Sequence, residues 1–129
     1  MDGRVLIVED HPTMRGALRL LLESEGLTVQ EVADGGRALE VVAAERPDVV
    51  FLDLNIPGTS GAQVLSAIKG DPSTAGVAVI VITAEGEEGR APAMLLGADA
   101  YLTKPFSPNE LLRTVELALE GSGPTAASP

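Results

Sequence analysis

A chain of 129 residues has room for one domain and a single buried core. Its 45% hydrophobic and 22% charged residues are ordinary for a globular protein, and the lack of cysteine removes disulfides and thiolate metal sites. Nineteen acids against nine basic residues give a formal net charge of −10, which argues against phosphate backbones and anionic membranes as partners.

Aromatics at 2% leave little for stacking on bases or flavins. Absent cysteine suits a reducing cytoplasm, the expected location. The start, MDGRVLIVED, has too short an apolar run for a secretion signal, and no stretch is long enough to cross a bilayer.

Along the chain two periods alternate. Val5-Leu6-Ile7-Val8 predicts a first strand, and Met14, Ala17, Leu18, Leu21 and Leu22 form a helical stripe that starts near Pro12 and stops at Gly26. Thr28-Val29 predicts a second strand. Ala38, Leu39, Val42 and Ala43 then predict a helix that ends before Pro47. Val49 to Leu52 and Val77 to Ile82 are apolar without alternation, as in parallel strands covered on both faces. Between them Val64, Leu65 and Ile68 mark a third helix that closes at Gly70.

The fourth helix is the weak one. In GEEGRAPAMLLGADA, Gly86, Gly89 and Pro92 all oppose a helix interior, so a short or late-starting helix is expected, with a start at Pro92. Ala100-Tyr101-Leu102 predicts the fifth strand. Ser107-Pro108-Asn109-Glu110 reads as a capping box ahead of Leu111, Leu112, Val115, Ala118 and Leu119, and Gly121 ends that helix. Residues 1–121 are read as the domain, and 122–129 as a flexible tail or the start of a linker. Five strands alternating with five helices predict an α/β domain with a parallel sheet and helices on both faces.

Ligands of such sheets sit beyond the carboxyl ends of the strands. Glu9 and Asp10 follow the first strand, Asp53 ends the third, Thr83 ends the fourth and Lys104 follows the fifth. Gathered carboxylates repel, and a hard cation such as Mg²⁺, with oxygen ligands, would relieve that. A hydroxyl and an ammonium beside them suit phosphoryl oxygens, and an aspartate can itself be the nucleophile. Taken singly, Glu9-Asp10 is a helix-start acid pair, Asp53 a turn cap, Thr83 a strand-end residue and Lys104 a surface charge. Together at successive strand ends they point to phosphoryl transfer onto Asp53.

The motifs VLIVED, DLNIPGTSG, VITAE and GADAYLTKPF carry a family likeness. From about Arg4 to Glu120 the chain resembles a response-regulator receiver domain of two-component signalling, and is particularly similar to the chemotaxis type. The resemblance implies a flavodoxin-like doubly wound sheet of order 2-1-3-4-5. It implies Asp53 as phosphoacceptor, Asp10 as a direct Mg²⁺ ligand, Glu9 as a ligand mainly through water, and Asn55 as a ligand through its backbone carbonyl. It also implies Thr83 as the switch hydroxyl, Lys104 as the paired cation, a cis peptide before Pro105 and Tyr101 as the aromatic that swings inward on activation. Asn55 and Glu85 fall at the positions that tune phosphoryl lifetime. His11, the one histidine, reads as a loop residue.

The implied donor is a sensor histidine kinase or a phosphotransfer protein. The implied output, to a partner or a homodimer, runs through the fourth helix, fifth strand and fifth helix, a face that the two glycines and Pro92 alter. Enzymatic activity is expected only at Asp53, as self-phosphorylation and dephosphorylation. An aspartate-nucleophile phosphatase would want a second Asp where Asn55 stands. A flavin carrier would want a Ser/Thr/Gly-rich phosphate loop where EDHPTMRG stands. A constitutive or phosphorelay interaction module of a longer regulator is the remaining alternative.

Overall fold

Apolar runs with no polar face must be covered on both sides, and the chain meets that demand with a central sheet. A computed structural model describes residues 1–121; the predicted tail lies outside the described residues. The strands are β1 (Arg4–Val8), β2 (Thr28–Val32), β3 (Val49–Asp53), β4 (Ala78–Thr83) and β5 (Ala100–Thr103). They pair in parallel in the order β2-β1-β3-β4-β5. The helices are α1 (Pro12–Ser24), α2 (Gly35–Glu45), α3 (Gly61–Gly70), α4 (Arg90–Leu95) and α5 (Pro108–Gly121).

Side chains alternate across the strands, so the core divides into two layers. Leu6, Val8, Val50, Leu52, Val79 and Val81 pack against α2, α3 and α4. Val5, Ile7, Val49, Phe51, Ile80 and Ile82 pack against Leu18 and Leu22 of α1 and Leu111 and Val115 of α5. β3 and β4 are buried at every position, which is why their sequences show no alternation.

Three local outcomes differ from the sequence reading or add to it. β2 runs three residues past Val29, through Gln30 and Glu31, because an edge strand tolerates polar positions once they are paired: Arg15 and Arg19 both bind Glu31. α3 carries a full capping box, in which Ser60 accepts from the Gln63 N–H and the Gln63 side chain accepts from the Ser60 N–H. At α5 the Ser107 hydroxyl accepts from the Glu110 N–H at 3.0 Å.

The fourth helix is short, as expected, but it does not begin at Pro92. A 3₁₀ turn over Glu87–Gly89 leads into α4 at Arg90, and Pro92 falls in the first turn, where its missing N–H has no partner to lose. Gly86 enters this turn at φ 87°, a left-handed conformation that glycine adopts without strain.

At the amino ends of β4 and β5, Lys69 at the close of α3 donates to the Ala75 and Val77 carbonyls and pairs with Asp99 at 2.8 Å. Asp99 in turn accepts from the Val79 N–H. This clamp lies at the opposite end of the sheet from the acidic residues.

Candidate functional site

The parallel register brings the carboxyl ends of β1, β3, β4 and β5 to one edge. Val8 pairs with Leu52 and Asp53 with Ile82, so Glu9, Asp53 and Thr83 fall at neighbouring strand ends. Lys104 follows β5, its N–H bonded to the Thr83 carbonyl, and the Lys104–Pro105 peptide is cis. Of the residues singled out from sequence, the structure brings Glu9, Asp10, Asp53 and Lys104 together, with the Asn55 backbone bonded to Asp53.

One carboxylate oxygen each from Glu9, Asp10 and Asp53 lie within 4.8 Å of one another. Glu9 is fully buried and Asp53 is 4% exposed, whereas Asp10 faces solvent. Lys104 Nζ donates to Glu9 Oε1 and to Asp53 Oδ2, each at 2.9 Å. The remaining Glu9 oxygen accepts from the His11 N–H at 3.1 Å, and Asp53 Oδ1 accepts from the Asn55 N–H at 2.9 Å. Among the described residues the Asp10 carboxylate makes no hydrogen bond.

The charges explain the titration. Burial pushes the Glu9 carboxyl above its ordinary value and the Asp53 charge adds to that, against the bonds from Lys104 and the His11 N–H. Burial disfavours the Lys104 ammonium, but its bonds to Asp53 and Glu9 outweigh this and hold its pKa above the ordinary lysine value. Three carboxylates therefore gather beside one ammonium, which bonds only Glu9 and Asp53. An all-oxygen donor set with surplus negative charge and one ligand open to solvent fits a hard divalent cation such as Mg²⁺.

Thr83 is fully buried, and its Oγ1 accepts from the Glu85 N–H at 3.1 Å. Tyr101 is 3% exposed and points inward, its hydroxyl donating to the Gly86 carbonyl at 2.7 Å. The Arg90 guanidinium lies 5.1 Å from the centre of the Tyr101 ring and is fixed by a two-pronged pair with Glu87. His11, on the loop, is the residue just before α1 and contributes its backbone.

Some contributors escaped the sequence reading. Arg15 donates to the Glu9 carbonyl at 2.9 Å while holding Glu31, so α1 props the acidic corner from behind. Gly35 gives its N–H to Pro57, and a β-carbon there would lie 1.9 Å from the Thr59 carbonyl oxygen. The loop that carries Asn55 thus rests on the start of α2. The Asp34-Gly35 pair at a helix start was the available signal for this contact.

The sequence pattern of the response regulator receiver domain matches residues 5–116, and the chain belongs to that family, whose members are signalling modules of two-component systems. It is 36% identical over 121 residues to the phosphate regulon transcriptional regulatory protein PhoB of Pseudomonas aeruginosa, covering 93% of this chain and 53% of that protein. The chain therefore spans about half the length of that regulator. With protein PilH of the same organism it shares 35% identity over 120 residues, covering 92% of this chain and 99% of PilH. A putative response regulator from Chloroflexus aurantiacus superimposes with a TM-score of 0.87 at 31% identity, covering 93% and 99% of the two chains. The receiver domain of a Pseudomonas aeruginosa sensor histidine kinase, solved with a magnesium ion coordinated in its active-site cleft, gives 0.85 at 28% identity, with the same coverage. Among the described residues no helix is long and apolar enough to cross a membrane.

Proposed function

We propose that this chain is a phosphorylation switch that accepts a phosphoryl group on Asp53 from a phosphohistidine of a sensor kinase or phosphotransfer protein. The observation that carries the reading is the shared ammonium: Lys104 bonds Asp53 and Glu9 at once, with Asp10 open at the mouth of the site. An Asp53 oxygen attacks phosphorus, a P–O bond forms, the P–N bond to the donor imidazole breaks, and that imidazole leaves as a neutral ring once protonated. Lys104 then has a phosphoryl oxygen within its reach in place of a carboxylate oxygen.

Asp10, Asp53 and the Asn55 carbonyl would hold Mg²⁺, with Glu9 acting through water, and the ion would offset charge on the carboxylates and the phosphoryl oxygens. The magnesium-bearing histidine-kinase receiver of the same fold supports this assignment. Thr83 serves as the hydroxyl that reports the new charge, and Tyr101 as the aromatic coupled to it. The readout is the α4–β5–α5 face, towards a downstream partner or a second copy. Only self-phosphorylation and dephosphorylation at Asp53 are assigned as chemistry. Residues 1–121 form the receiver unit, and the cytoplasm is its compartment.

Intact-mass spectrometry after incubation with acetyl phosphate, with and without Mg²⁺ and beside Asp53→Asn, tests the reading. One added phosphoryl group that needs both metal and Asp53 is the expected result. No adduct, together with no binding of beryllofluoride, sinks it and favours a constitutive interaction module.

A further inference from the structure

The glycines that weaken α4 have different physical reasons. Gly86 needs glycine for its backbone, at φ 87°. Gly89 does not: at φ −81° and ψ −10° it occupies a conformation open to any residue. By helix propensity alone an alanine there, next to the start of α4, is favourable. What forbids a side chain is Tyr101. A β-carbon on Gly89 would lie 2.3 Å from the Tyr101 hydroxyl oxygen, 3.3 Å from Cζ and 3.0 Å from Glu85 Oε1. The Glu85 carboxylate is the end of an exposed, flexible side chain and can move aside. The hydroxyl can do so only by giving up its bond to the Gly86 carbonyl and taking its buried ring out of the core.

We infer that Gly89 is a positioning residue for Tyr101: by lacking a side chain it leaves room for the hydroxyl under the Gly86–Arg90 turn and so latches the aromatic inward before any phosphoryl group arrives. The latch has three parts, namely the Gly86 carbonyl as acceptor, Gly89 as a roof without a β-carbon, and Arg90 over the ring, fixed by Glu87. In its consequence for signalling the inference rests on the reading of Tyr101 as the switch aromatic. If the ring is already inward, phosphorylation of Asp53 has little of its motion left to drive, and Thr83 carries most of the change.

The chain holds one tyrosine and no tryptophan, so intrinsic fluorescence reports this one side chain. Acrylamide is the suitable quencher, since the negative net charge would repel iodide. The expected result, with no phosphodonor present, is a well-shielded tyrosine in the native chain and a quenching constant in Gly89→Ala that rises towards that of free tyrosine. A tyrosine already open to quencher in the native chain, or one still shielded in Gly89→Ala, overturns the inference.

Folding is controlled by a second comparison, the melting of Gly89→Ala with Tyr101 and with Tyr101→Phe. Removing the hydroxyl leaves the 3.3 Å ring contact, which a few tenths of an ångström relieve, and the 3.0 Å contact with the Glu85 carboxylate, which can swing away. Alanine should therefore lower the melting temperature beside tyrosine and raise it, or leave it unchanged, beside phenylalanine. Equal losses in both backgrounds overturn the assignment to Tyr101. Neither measurement uses a donor, so a silent Asp53 would defeat the phosphorylation reading and leave this one standing.

Discussion

The Lys104 ammonium lies 2.9 Å from the Asp53 carboxylate and is equally close to Glu9, so one cation serves two buried acids. Removing it leaves both charges with one backbone N–H each and no cation in a site with little solvent. Lys104→Ala is expected to lose about 3 kcal/mol of stability in chelator, at the low end for breaking a buried pair because Lys104 is partly exposed. Mg²⁺ should restore a large part of the loss. Urea unfolding in EDTA and in Mg²⁺ measures both; melting like that of the native chain in chelator would show that the ammonium is dispensable.

Glu9 is the carboxylate most at odds with its surroundings. Its pKa is raised by burial, so the stability it contributes is present below the ordinary value of 4.5 and is lost as pH rises through the raised value. At neutral pH, without metal, its charge opposes folding. Glu9→Gln keeps the shape and should stabilise the metal-free chain by about 1 kcal/mol while weakening the thermal shift produced by Mg²⁺. Calorimetry at pH 7 with and without Mg²⁺ reads both, and a less stable metal-free variant contradicts the argument.

Glu31 titrates in the other sense. The Arg19 bond lowers its pKa, with Arg15 adding to this against partial burial. Its contribution is therefore present above the ordinary value of 4.5 and fades as pH falls through the lowered value. The difference in melting temperature between the native chain and Glu31→Gln should be constant from about pH 6 to pH 5 and shrink below about pH 4.5. A difference that does not change down to about pH 3 would assign the effect to packing.

Gly35 and Gly36 are adjacent in sequence and opposite in tolerance. A β-carbon on Gly35 would meet the Thr59 carbonyl oxygen at 1.9 Å, whereas on Gly36 the nearest atom is an Asp34 oxygen at 3.6 Å. Gly35→Ala should cost about 2–3 kcal/mol by forcing the Asn55 loop off α2, and should weaken Mg²⁺ binding with it. Gly36→Ala should be neutral or stabilising by up to about 1 kcal/mol. Urea unfolding and Mg²⁺ titration by calorimetry on the pair decide it; equal behaviour would mean that the loop does not rest on Gly35.

The fold was legible because its signals are local. Unbroken apolar runs such as Val49–Leu52 leave few alternatives to a doubly covered strand, and proline and glycine mark the ends of the helices. The acids at the strand ends were legible for the same reason: topology alone carries Glu9, Asp53 and Lys104 to one edge. Spacing could not show how the charges are shared. That Lys104 bridges Glu9 and Asp53 depends on side-chain reach across 95 and 51 residues of chain, and no periodicity encodes it. The glycines misled for a related reason. Read as helix breakers they made Pro92 the start of α4, whereas Gly89 answers to a hydroxyl twelve positions later in sequence.

The Lys69–Asp99 clamp makes the two ends of the β4–β5 pair mechanically unlike. One end is riveted, since an ammonium and a carboxylate bind three backbone groups around the start of β4. The other end carries Thr83 and Lys104 and opens onto the acids. With that end riveted and β4 paired to β3 as far as Asp53, a change of charge at the acids has the turns beyond Thr83 and Thr103, not the strands themselves, as its easiest outlet.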